Sequence, residues 1–125
     1  MYIGKAAQLS GTTIKAIRHY EAIGLMPEPQ RLGGYRVYTA QSVERLAFIK
    51  CAQQLGFKLK ELQEILLGYE GGALPWERAD RAIANKKHEL VTQIATLQHM
   101  HTGLLTFEAQ LKAAQGQCSV SMKAS

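Results

Sequence analysis

Thr12-Thr13-Ile14-Lys15-Ala16-Ile17-Arg18-His19-Tyr20-Glu21, followed ten residues later by Arg31-Leu32-Gly33-Gly34-Tyr35-Arg36-Val37-Tyr38, is the stretch on which the reading of this chain turns. In its first part, Thr12 or Thr13 can cap a helix with a side-chain oxygen. Ile14, Ile17 and Tyr20 recur at a spacing of three and form an inward stripe, which leaves Lys15, Arg18 and His19 on the outside. Gly24 stops the helix, and Pro27 and Pro29 forbid its continuation. In the second part, Gly33-Gly34 suits a two-residue turn with positive φ at both positions. Tyr35 to Tyr38 has the aromatic and β-branched character of a strand. A short helix with cations outside, beside a basic hairpin, can hold a duplex at two places. The expectation is a protein that reads DNA.

Upstream, Ile3 to Leu9 reads as another short helix ended by Gly11, which can take a positive φ. Two helices joined by so short a glycine-bearing turn make a helix-turn-helix. Downstream, Thr39 caps a third helix with Val43, Leu46, Ile49, Ala52 and Leu55 on its core face and Gly56 at its end. Leu59, Leu62, Ile65 and Leu66 mark a fourth, ending at Gly68. The chain has 125 residues and a net charge of +5. The excess is local: residues 1–40 carry Lys5, Lys15, Arg18, Arg31 and Arg36 against only Glu21 and Glu28. That favours a polyanionic partner.

Gly68-Tyr69-Glu70-Gly71-Gly72 reads as a hinge. From Leu74 to Lys112 there is no proline after Pro75 and one glycine, Gly103. A helix of that length would be about 55–60 Å long, and alone it has no core, so it needs a partner. Ile83, Lys87, Leu90, Ile94, Leu97, His101, Leu104, Glu108 and Leu111 alternate steps of three and four, the seam of a coiled coil. Pairing two copies antiparallel about Leu97 sets Ile83 against Leu111, Leu90 against Leu104, Ile94 against His101 and Lys87 against Glu108. A parallel pair would stack Lys87 on Lys87 and Glu108 on Glu108. The antiparallel homodimer is therefore preferred. The alternative packs the helix on its own domain with its polar residues toward water.

Other classes are excluded by what is missing. No apolar run approaches 18 residues, so no membrane span is expected. Met1-Tyr2-Ile3-Gly4-Lys5 lacks the pattern of a signal peptide, which points to the cytoplasm. There is no Gly-rich phosphate loop and no nucleophile–base spacing, so no enzyme is expected. The two cysteines, Cys51 and Cys118, form no CxxC pair, and neither a structural disulfide nor a self-contained zinc site is expected.

Ile3-Gly4-Lys5-Ala6-Ala7, Thr13 to Glu21, Gly24-Leu25-Met26-Pro27, Gly34-Tyr35-Arg36-Val37-Tyr38 and Leu55-Gly56-Phe57 together closely resemble the MerR family of bacterial transcription regulators. The resemblance covers residues 1–70 in detail and the long helix in outline. It implies a mainly α fold: a winged helix-turn-helix domain with a small β-hairpin wing over residues 1–70, a hinge and antiparallel coiled-coil helix over 71–112, and a tail over 113–125 open to an effector role. It implies a homodimer on double-stranded promoter DNA, at an inverted repeat inside an overlong spacer. An effector then distorts the DNA so that RNA polymerase can use both promoter elements.

On the motif, Arg18 and Tyr20 on the recognition helix and Arg36 and Tyr38 on the wing would contact DNA. Thr13, His19 and Arg31 flank them. Lys15 is the best candidate to read a base, since lysine donates to guanine. Arg18 and Arg36 would hold phosphates, with solvated surface cations as the alternative. Tyr20 and Tyr38 could equally be core residues with hydroxyls at the surface.

The effector is less legible. Metal-sensing members usually carry several cysteines in a loop after the long helix and some carry one near its start. Trp76 stands near the latter place, and only Cys118 lies in the tail. One thiolate is a poor site for a soft metal. No metal site or cofactor is expected, metal through Cys118 being the less favoured route. Cys51 matches the place of a cysteine in a branch that answers aldehydes and other electrophiles. Lys50 and Lys58 could lower its pKa, whereas a buried Cys51 would be a small hydrophobe. Drug-binding members add a large domain, which the residues up to Ser125 do not contain; the alternative for an organic ligand is a small pocket around Trp76, Tyr69 and the partner's tail. The competing reading is an architectural or excisionase-like DNA binder without an effector.

Overall fold

The computed structural model describes residues 1–69 and 74–117. Helix α1 is Ile3–Ser10 and closes at Gly11, whose φ of 74° is left-handed. Helix α2, Ile14–Ala22, opens at Thr13, whose hydroxyl oxygen accepts from the Ala16 N–H at 3.0 Å. Strands β1, Gln30–Leu32, and β2, Tyr35–Val37, pair antiparallel, with Leu32 opposite Tyr35 across the Gly33-Gly34 turn. Both turn glycines have positive φ, 59° and 87°, as the two-residue turn requires. Helix α3 is Ala40–Gln54 and carries a reciprocal cap between Thr39 and Ser42. Helix α4 is Leu59–Leu66, and helix α5 is Trp76–Gln117.

The chain divides into two units, Met1–Lys86 and Lys87–Ser125. The first has one core. Ile17, Leu25, Leu46, Ile49 and Leu62 are fully buried at its centre, drawn from α2, the segment after it, α3 and α4. The N-terminus completes the wing: the Met1 ammonium donates to the Tyr38 carbonyl at 2.9 Å, and Tyr2 bridges Val37. In the second unit Lys87–Gln117 continues as helix, and Leu90, Ile94, Leu97, Leu104 and Leu111 are exposed.

Several local expectations shift. Ile14 is exposed, since it opens α2 beyond the core that Ile17 and Tyr20 reach. Leu55 is exposed as well, because α3 has ended at Gln54 and the chain turns away at Gly56. Helix α5 starts at Trp76, after Pro75 rather than at Leu74. It runs beyond Lys112, where the sequence pattern sets the start of the tail, through Ala113, Ala114 and Gln115, all good helix formers. The hinge glycines 71 and 72, and Cys118 with the rest of the tail, lie outside the described residues.

Candidate nucleic-acid interface

Helix α2 turns Ile17 and Tyr20 inward and leaves Thr13, Lys15, Arg18 and His19 exposed. The Tyr20 hydroxyl donates to Gln53 Oε1 at 2.7 Å, and burial raises its pKa. This tyrosine ties α2 to α3. The wing is fastened to α2 through one carboxylate. Glu21 Oε2 accepts from the Tyr38 hydroxyl at 2.5 Å, and Glu21 Oε1 lies 3.1 Å from Arg36 Nε. Tyr38 is only 3% exposed. Burial first, then the Glu21 hydrogen bond, pushes its phenol far above the usual range. The Arg36 Nε–H is not aimed along a hydrogen bond, so its contact with Glu21 is one of charge at close range. Arg31, at the exposed end of the hairpin, donates from Nη1 to the Gly34 carbonyl at 3.1 Å and braces the turn.

The proposed DNA residues thus fall into two sets. Lys15, Arg18, His19 and Arg31 are exposed. Tyr20 and Tyr38 are buried with their hydroxyls on protein acceptors, and Arg36 is half-buried against Glu21. Sequence reasoning counted Glu21 only as an opposing charge. Its signal was its isolation, as the only acid among residues 1–27.

Two family profiles match: "MerR HTH family regulatory protein" over residues 1–68 and "MerR, DNA binding" over residues 43–107. The chain belongs to the MerR family. It is a DNA-binding transcription regulator rather than an enzyme. The mercuric resistance operon regulatory protein of Serratia marcescens is 34% identical over 124 residues, covering 98% of this chain and 85% of that protein. The regulator of the same name from Bacillus cereus is 49% identical over 65 residues, covering 51% of this chain and 49% of that protein, so the match spans about half the length of each. Among solved structures, the N-terminal part of MtaN, the Bacillus subtilis multidrug transporter activator, superposes with a TM-score of 0.63 at 27% identity, covering 89% of this chain and 97% of that one. The winged helix-turn-helix with a long following helix is therefore the MerR arrangement.

The effector candidates are scattered. Cys51 lies exposed on α3. Its neighbour Lys50 is committed elsewhere, donating to the Gly11 carbonyl. Trp76 is exposed at the start of α5. Among the described residues no group of three or more His, Cys, Asp or Glu side chains could hold a metal ion, and no helix is long and apolar enough to cross a membrane.

Proposed function

We propose that this MerR family member acts in the cytoplasm as a homodimer on an inverted repeat in a promoter. It activates by distorting an overlong spacer for RNA polymerase when an effector arrives. The observation that carries this reading is the seam of α5. Ile83, Leu90, Ile94, Leu97, Leu104 and Leu111 are all exposed in the single chain. Such a helix needs a second one to cover it, and an antiparallel copy sets Lys87 against Glu108. In this reading residues 1–70 bind DNA, residues 71–112 carry the hinge and dimer helix, and residues 113–125 are the tail. Lys15 reads bases, while Arg18, Arg31 and Arg36 position the duplex. Footprinting on the gene's own upstream promoter, with sedimentation of the free protein, tests it. Dimers protecting two half-sites one helical turn or a multiple apart support it. A monomer, or a footprint without two-fold spacing, favours the architectural binder.

For the effector, thiol chemistry at Cys51 is the favoured reading, because this thiol is exposed. Two relatives are named for mercuric resistance, so a metal effector fits the family. The described residues do not by themselves assemble a soft-metal site, and that route would need Cys118. A promoter reporter challenged separately with methylglyoxal and mercuric ion separates the two. Loss of the methylglyoxal response in Cys51→Ser supports the first. Loss of the mercuric response only in Cys118→Ser supports the second. Induction untouched by either substitution removes both.

A further inference from the structure

Three cationic side chains outside the DNA-facing set are turned into the first unit. Arg45, on α3, is 2% exposed. Its Nε donates to the Leu25 carbonyl at 3.0 Å, and its Nη1 donates to the Tyr69 carbonyl. Leu25 belongs to the exit of the recognition helix, where the Leu25 and Met26 N–H groups both donate back to the Tyr20 carbonyl. Gln63, on α4, holds the same exit by donating to the Ile23 carbonyl at 2.9 Å. Helices α3 and α4 thus both grip the four residues that follow α2.

The other two cations come from α5. Arg78 Nη1 donates to the Leu67, Ile65 and Glu64 carbonyls at 2.8, 3.2 and 3.4 Å. These include carbonyls that the end of α4 cannot satisfy within the helix. The same guanidinium lies 4.7 Å from the centre of the Tyr69 ring, within cation–π range. Lys86 Nζ reaches both Glu61 oxygens at 3.0 Å and lies 5.1 Å from the centre of the Phe57 ring. Glu61 is in the first turn of α4, and Arg78 grips its last. The start of α5 therefore runs antiparallel to α4 and is clasped to it at both ends. Arg78 and Lys86 lie eight residues apart on α5, about 12 Å of rise, and their long side chains reach back to acceptors only three to six residues apart, Glu61 and the Glu64 to Leu67 carbonyls.

We propose that α4 is a transmission bar: its two clasps, Arg78 and Lys86, pass the position of α5 to the recognition-helix exit through Tyr69–Arg45 and through Gln63. Arg45, Tyr69, Arg78 and Lys86 are positioning residues that need touch neither DNA nor effector. A shift of α5 moves α4 and Tyr69. Two acceptors at the exit, the Leu25 and Ile23 carbonyls, then lose or keep their donors together. For transcription, the consequence rests on the regulator reading above. The coupling itself does not, and it can be measured without DNA.

The test is native-state hydrogen exchange on the full chain, comparing wild type with Arg78→Met, Lys86→Met, Tyr69→Leu and Lys50→Met. The Leu25 and Met26 amides report the exit, and amides of α1 and α3 report global opening. The expected result is exchange at Leu25 and Met26 faster by about tenfold in Arg78→Met and Tyr69→Leu, the scale of losing one charge-assisted hydrogen bond, with α1 and α3 unchanged. Lys50→Met, whose clasp is on α1, should leave the exit unaltered. In the double variant Arg78→Met with Tyr69→Leu the effect should be no larger than in either single variant, because both break one path. Faster exchange confined to α4, or additive effects in the double variant, would overturn the proposal. Should Arg78→Met open every amide, Tyr69→Leu alone decides, since it removes the ring and keeps the carbonyl that Arg45 uses. A loss of DNA binding with an unchanged exit would likewise count against transmission while leaving the regulator reading intact.

Discussion

Glu21→Ala should loosen the wing more than its place on a basic, DNA-facing helix suggests. The side chain is 9% exposed and serves two groups: the Tyr38 hydroxyl at 2.5 Å and the Arg36 guanidinium at 3.1 Å. The first is a hydrogen bond from a buried donor to an ionised acceptor, worth about 1.5–3 kcal/mol. The second is an ion pair with a partly exposed partner, worth about 0.5 kcal/mol. The expected loss is therefore about 2–3.5 kcal/mol. At a urea slope of about 1.5 kcal/mol per molar, that lowers the midpoint by about 1.3–2.3 M. The assay is urea unfolding followed by far-UV circular dichroism at one protein concentration, because dimerisation would shift the midpoint. Tyr38→Phe makes the argument decisive. In wild type it should cost about 1.5–3 kcal/mol, since it removes that same hydrogen bond. In the Glu21→Ala background it should cost nothing or recover stability, because it removes a buried hydroxyl left without an acceptor. If Tyr38→Phe costs the same in both backgrounds, Glu21 does not hold the wing.

Lys87→Glu should weaken dimerisation, and adding Glu108→Lys should restore much of it. The gain is limited to roughly 0.3–1 kcal/mol, since Glu108 also lies 3.9 Å from Lys112 on its own helix. Sedimentation equilibrium showing no coupling would remove the antiparallel register. Arg18→Ala and Arg31→Ala should each shallow the salt dependence of DNA binding by about one unit, while Lys15→Ala should alter sequence preference in a randomised-site selection. Equal behaviour of all three would abolish the division into positioning and reading residues. Glu61 has its pKa lowered, first by the Lys58 backbone N–H and then by Lys86. A group with a lowered folded pKa contributes stability above its unfolded pKa and loses it as pH falls through the folded value. Urea midpoints should hold steady down to about pH 5 and then fall. Glu61→Gln should remove this group's share of the acid loss, and Lys86→Met a smaller part. An unchanged pH profile in Glu61→Gln would show that the clasp makes no net contribution.

What could be read from the residues alone was what depends on neighbours in sequence. Gly11 and the pair Gly33-Gly34 adopt the positive φ that their turns demand, and Thr13 and Thr39 cap their helices, because capping and turn chemistry act over three or four residues. The buried apolar positions of α2, α3 and α4 follow from helical periodicity, except at helix ends such as Ile14 on α2 and Leu55 after α3, where period says nothing about whether a core is still within reach. The basic face of α2 was legible for the same reason. Only the tertiary structure could decide which charged groups turn inward. Arg45, Arg78 and Lys86 look like any surface cation in sequence, and their acceptors lie 20 and 24, 11 to 14, and 25 residues away. Spacing alone does not divide Tyr20 and Tyr38 between packing and phosphate contact, because it does not show the hydroxyl's partner. The fold supplies Gln53 and Glu21 for them, 33 and 17 residues distant. A cation or hydroxyl is placed by the acceptor that compensates its burial, and that acceptor is fixed only when the helices pack.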